Sequence, residues 1–192
     1  MPRTPASARS TATRRVRWLP AVCLMAVIAV IAAVLGCQAP KSSASFGFVP
    51  SGVTVFDDAI PGVANLDPGL LKALRQAATA AADDGVEFYV NSGWRSSEYQ
   101  DQLLRKAVAE YGSEEEAARW VATATTSPHV SGEAVDIGRS AATAWLSKHG
   151  AAYGLCQTYD NEPWHYELRT EAATSGCPQM YADPTHDPRV QQ

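Results

Sequence analysis

Histidine is scarce in this chain, four in 192 residues, so the surroundings of each one are informative. His129 lies in Ser127-Pro128-His129-Val130-Ser131-Gly132-Glu133-Ala134-Val135-Asp136, and His165 in Glu162-Pro163-Trp164-His165. Two imidazoles and a carboxylate form the donor set of a catalytic metal centre, three protein ligands with a fourth position left for water. His129, Asp136 and His165 would supply that set for Zn2+. Such a centre needs a base to take the proton from water. Glu162 stands three residues before His165, close enough to serve the same place. Burial near Trp164 would tune its pKa toward neutrality. Attack by water also builds negative charge on an oxygen, which calls for a cation or oriented donors. Arg95, in Ser92-Gly93-Trp94-Arg95-Ser96, follows a β-rich run and precedes a helix, a usual place for such a group. On spacing alone another reading stays open: a lone histidine is often a surface or satisfied core residue, and Asp136 can cap a turn.

These residues need elements to position them. Seven residues separate His129 from Asp136, which is not the spacing of one helix face. The segment reads as a loop that turns at Gly132 and enters a strand over 133–137, with Asp136 pointing inward between Val135 and Ile137. His165 would project from a neighbouring strand, 164–168, reached from another at 155–159 through the turn Asp160-Asn161-Glu162-Pro163. Upstream, Asp67-Pro68 reads as an N-cap and first helical residue. Leu70, Leu71, Leu74, Ala77, Ala78 and Ala81 then form a helical stripe that ends at Gly85. Residues 86–90 read as a buried strand. Ser97-x-x-Gln100 and Ser113-x-x-Glu116 look like capping boxes opening two helices. Residues 123–131 read as polar loop and 140–149 as a short helix. Helices cluster early and strands late, which predicts an α+β domain: a small antiparallel sheet, helices packed on one side, and the zinc site in a cleft on the sheet. Trp94, Trp120, Trp145 and Trp164 are expected mainly in the core.

Charge divides the chain in two. Residues 1–36 hold five arginines and no acid, whereas the other 156 carry 11 basic and 20 acidic side chains, a net charge of −9. An acidic domain is a poor partner for nucleic acid. Arg14, Arg15 and Arg17 precede an apolar run over 18–35, the pattern of a secretory signal, here at the lower length limit for a membrane span. Val34-Leu35-Gly36-Cys37 resembles a lipobox that would make Cys37 a lipidated residue; an uncleaved signal anchor is the alternative. The expected organisation is a signal or anchor at 1–36, a flexible tether at 37–55, the domain at 56–181 and a disordered tail at 182–192. Export places the domain outside the bacterial cytoplasmic membrane, held through its N-terminal segment or a lipid. Cys156 and Cys177 are then an even pair in an oxidising compartment. A disulfide between them would close a loop of about 20 residues and add on the order of 3 kcal/mol; two free buried thiols are the alternative.

Three motifs also carry a resemblance. Ser127 to Asp136 matches the S-x-H-x-x-G-x-A-x-D signature of VanY-like D-alanyl-D-alanine carboxypeptidases, members of the LAS group of zinc peptidases. Glu162-Pro163-Trp164-His165 is similar to the family's E-x-W-H, and Ser92 to Ser96 to its S-G-[YW]-R-S. The resemblance spans about residues 66 to 169. It implies a LAS/hedgehog-type peptidase fold, His129, Asp136 and His165 as zinc ligands, Glu162 as catalytic base and Arg95 as the group steadying the substrate carbonyl oxygen. Gln100 matches a family glutamine near the site and Ser127 a family serine near the substrate; a capping box and a turn are the plainer readings of these two. Ser97 departs from the family, which commonly has an aromatic residue there. The implied activity is removal of the terminal D-Ala from peptidoglycan stem peptides by a monomer. A D,D-dipeptidase, a cell-wall endopeptidase, or a non-catalytic zinc-stabilised wall-binding module are the alternatives.

Overall fold

The computed structural model describes residues 43–191, and the expectations for the N-terminal signal, the lipobox and Cys37 fall outside them. Among the described residues no helix is long and apolar enough to cross a membrane.

Four strands make one antiparallel sheet in the order β1-β2-β4-β3: β1 (Tyr89–Ser92), β2 (Ala134–Gly138), β3 (Leu155–Gln157) and β4 (His165–Leu168). Strand geometry sends alternate side chains to opposite faces, and the residues follow it. Val90, Val135, Ile137, Leu155, Tyr166 and Leu168 face the apolar side. There they meet the helices α2 (Pro68–Asp83) and α6 (Ser140–His149), which contribute Leu70, Leu74, Ala77, Ala81, Trp145 and Leu146. Asp67 caps α2, its carboxylate accepting from Leu70 N–H at 2.9 Å, with proline in the first turn. The remaining sheet face carries Asp136, His165 and Glu167. It looks toward the side on which α3 (Ser97–Tyr111) and α4 (Glu114–Ala118) run. Among the described residues, short helices α1 (Pro61–Ala64), α5 (Pro128–Ser131) and α7 (Ala172–Ser175) complete the set.

Several expectations need correction. The folded unit begins before residue 56. A 3-10 turn at Ser43–Phe46 leads to Val49, Val53 and Val55, all buried in the core, and Val90 N–H donates to Val53 O at 2.9 Å. Residues 43–55 are therefore not a tether; their three valines fill the open edge of the apolar layer. The tail expected to be disordered from 182 onward is also ordered to 191. Tyr181 bridges Tyr159, a 3-10 turn forms at Pro184–His186, and Asp183, Pro184 and Asp187 are buried. The helix expected from Ser97 is capped instead by Ser96, whose hydroxyl accepts from Tyr99 N–H at 3.2 Å. The segment read as loop at 123–131 contains the single turn α5. Trp145 is core, but Trp120 and Trp164 are each 37% exposed. Cys156 and Cys177 form a disulfide, which ties β3 to the segment leading into the tail.

Candidate active site

Asp136 and His165 face each other as direct partners of β2 and β4, and Ala134 pairs with Glu167 in the same ladder. His129 reaches the place from α5, a turn that Gly132 ends at φ 80°. A side chain there would strike Asn65 O at 2.5 Å, so glycine is what lets the α5 turn close against the start of α2. Gly93 is equally constrained: a Cβ would lie 2.0 Å from Gly62 O. Its carbonyl accepts from His129 Nδ1 at 2.8 Å, leaving Nε2 aimed at the sheet.

Nε2 of His129 and Nδ1 of His165 each stand 3.4 Å from Asp136 Oδ1. All three residues are buried, and one donor atom from each fits within 4.8 Å of the others. Asp136 Oδ1 and His165 Nδ1 have no hydrogen-bond partner. Buried polar atoms are nearly always paired, so two orphans aimed at one point suit a cation as their partner. Two nitrogens and one carboxylate oxygen suit Zn2+. Asp136 Oδ2 is taken by Arg95 Nη2 at 2.8 Å. Burial opposes ionisation of Asp136, yet His129, His165 and Arg95 outweigh it and hold the carboxyl well below its usual range. Burial, with Arg95 adding to it, lowers His129. At His165 burial pulls the same way, but the nearby carboxylates of Asp136 and Glu167 outweigh it and raise it while no cation is bound.

Glu162 comes from the turn before β4, its Oε2 3.6 Å from His165 Nδ1. It is 6% exposed, and burial pushes its carboxyl up to about 7, against the pull of His165. Arg95 is held three ways: Nε to Ser92 Oγ, Nη1 to Gln100 Oε1 and Nη2 to Asp136. Gln100 is fully buried and spends its amide on Arg95 and on Ala122 O, so it meets the cleft through Arg95. Ser127 is buried with its hydroxyl unpartnered. These side chains line a cleft of about 360 Å³, walled also by Trp120, Trp164, Tyr159 and Pro184. Arg95, Gln100, Ser127, His129, Asp136, Glu162 and His165 are therefore brought to one place. The sequence reading missed Glu167, Tyr159 and the tail. Glu167 was within its reach, since a residue two beyond His165 in a strand must share its face.

Sequence comparison settles the lineage. The profile of the VanY family, described as D-alanyl-D-alanine carboxypeptidase, matches residues 63–170, more than half of the chain. The chain belongs to the VanY family. A D-alanyl-D-alanine carboxypeptidase of Enterococcus faecalis (strain ATCC 700802 / V583) is 34% identical over 127 residues, covering 53% of this chain and 47% of that protein. The chain thus matches about half the length of this relative. Among solved structures, a zinc complex of a mutant vancomycin resistance D,D-pentapeptidase VanY from a VanB-type cassette is 32% identical, with a TM-score of 0.53 over 57% of this chain and 76% of that one. VanYB in complex with D-alanine-D-alanine matches at 32% identity and TM-score 0.53, over 57% and 75% of the two chains. The LdcB LD-carboxypeptidase shares the fold at 23% identity and TM-score 0.53, over 71% and 73%.

Proposed function

We propose that this chain is a zinc-dependent D-alanyl-D-alanine carboxypeptidase that removes the terminal D-Ala from peptidoglycan stem peptides. The observation that carries the reading is the pair of orphaned buried atoms, Asp136 Oδ1 and His165 Nδ1, converging with His129 Nε2 beside Glu162. Membership of the VanY family and the zinc and D-alanine-D-alanine complexes of its relatives support it.

His129, Asp136 and His165 would hold the metal. Bound zinc supplies a Lewis acid that polarises the scissile carbonyl and makes water acidic enough to be deprotonated near neutral pH. Glu162, buried and pushed up toward neutrality, takes the proton from the attacking water and passes it to the nitrogen of the leaving D-Ala. Arg95 fixes Asp136 in its ionised form, and its guanidinium at the cleft wall offers positive charge to the oxygen on which charge develops. The free hydroxyl of Ser127 and the exposed faces of Trp120 and Trp164 meet the peptide. The proposal includes export, with residues 1–36 or a lipid on Cys37 holding a monomer at the outer face of the cytoplasmic membrane; the basic and apolar pattern of that segment supports it.

The test is release of D-Ala from a synthetic pentapeptide, with Glu162→Ala alongside. Wild-type release that Glu162→Ala abolishes supports the reading, and release at a near wild-type rate from Glu162→Ala overturns the assigned base. Mass spectra of digested muropeptides fix the bond: loss of one alanine is expected, whereas loss of a dipeptide or opening of crosslinks would replace carboxypeptidase by dipeptidase or endopeptidase.

A further inference from the structure

The two histidines of the site are held differently. His129 rests on a neutral backbone carbonyl, Gly93 O, whereas His165 rests on a carboxylate. Nε2 of His165 lies 3.2 Å from Oε1 of Glu167, which is 1% exposed. A carboxylate flanked by arginines can only accept, so in the neutral ring that a cation requires Nε2 carries the hydrogen and Nδ1 offers its lone pair toward Asp136 and the cleft.

Glu167 is itself held from outside the sheet. Arg169 Nη2 donates to Oε2 at 2.8 Å, and Arg189 places Nη1 at 2.7 Å from Oε2 and Nη2 at 3.3 Å from Oε1. Arg189 belongs to the tail, where it is clasped by Asp187: Nε donates to Oδ1 at 3.0 Å and Nη2 to Oδ2. Asp187 is fully buried and also accepts from Tyr159 O–H at 3.1 Å. The Tyr159 ring returns to His165, with centroids 4.9 Å apart. The circuit runs from the tail through two carboxylates to the imidazole and back through an aromatic ring. A plain surface ion pair would not engage the distal nitrogen of a site histidine, and outer partners of ligating histidines generally fix ring orientation and strengthen the donor.

We infer that Glu167, fixed by Arg189 of the tail, is a positioning residue that orients His165 and strengthens it as a metal ligand, which makes residues 183–190 a working part of the site. The inference rests on the zinc reading above. Its test is binding of Zn(II) and Co(II) to the metal-free, full-length chain, by competition with a chelator and by the visible spectrum of the Co(II) form, with His165→Ala as background. Glu167→Ala should weaken the metal by about 10- to 100-fold and shift the Co(II) bands. The Arg189 side chain is 44% exposed, so Arg189→Ala opens no core cavity, and its circular dichroism is compared with wild type before the metal is titrated. It should give a smaller loss in the same direction, which Arg189→Lys partly restores. Glu167→Gln keeps an accepting oxygen without the charge and should fall between wild type and Glu167→Ala. If Glu167→Ala does not fold, Arg189→Ala and Glu167→Gln decide by the same readouts. Unchanged metal affinity and unchanged Co(II) bands in the folded variants, with only the melting temperature of the metal-free protein lowered, would overturn the inference while leaving the zinc site standing. A wild-type chain that takes up neither metal overturns both.

Discussion

One sheet serves two different solvents in this protein. On one face Val135, Ile137 and Tyr166 meet Leu70, Leu74 and Trp145 in mainly apolar packing. On the other, offset by a single residue, Asp136, His165 and Glu167 are equally buried but polar. The apolar face gains from losing water. The charged face is costly to desolvate and is tolerated because arginines and neighbouring histidines compensate most of its charges. Two atoms there are left uncompensated, and those two define where chemistry is expected. The apolar face thus supplies stability and the polar face spends part of it on function.

That division can be broken from either side. The largest effect belongs to the polar face. Replacing Glu162 by Ala should lower D-Ala release by at least about 10³-fold, and chelation of the metal should abolish it, while circular dichroism at 25 °C stays native. The apolar face should answer in the opposite way. Leu74 is fully buried, so Leu74→Ala should cost about 3 kcal/mol in denaturant unfolding and leave kcat of the folded fraction near wild type.

Smaller effects sharpen the contrast. Glu162 titrates near 7 when folded, above its unfolded value, so its ionised form opposes folding increasingly as pH rises toward 7 and fully above it. Glu162→Gln should therefore raise the melting temperature of the metal-free protein by a few degrees at pH 8 and by little at pH 4, a stabilisation bought with lost activity. Asp183 behaves oppositely. Burial pushes it up, but bonds from Thr185, His186 and Arg119 prevail and hold it at about 2. Its contribution is present above the unfolded pKa and lost as pH falls through the folded one. Asp183→Asn should flatten the fall of melting temperature between about pH 4 and 2, with about 1 kcal/mol lost at pH 7, because its partner Arg119 is half in water.

The legibility of the sequence follows the same line. Helix 140–149 was readable to its ends because the apolar spacing is local, and the Asp67-Pro68 start because a cap and a proline act within one turn. Strands 134–138 and 165–168 were placed within a residue, since alternation and the two histidine motifs agree. The Ser96 cap was displaced by one because two serines are adjacent, and the choice is made by Phe46 O, which accepts from Ser96 N–H across the fold. The tail was unreadable. Its order comes from Asp183, Asp187 and Arg189, polar residues with no period, whose partners lie in α4's exit and in β4. Glu167 differs: strand parity alone puts it on the face of His165, and only the cover by Arg189 depends on the tail.

The direct pairing of Asp136 with His165 has a consequence for changes in chain length. Neighbouring side chains of a strand point to opposite faces, so inserting or deleting one residue just before His165, with the ladder otherwise kept, would turn His165 and Glu167 into the apolar layer and bring Tyr166 and Leu168 to the cleft. No substitution has taken place in such a chain, yet ligand, outer carboxylate and core are all misplaced together. A change of two residues preserves the parity and spares the faces. Viable length variation should thus be absorbed in the turns, because even two residues inserted before His165, which spare the faces, move it from Asp136 to the position opposite Ala134.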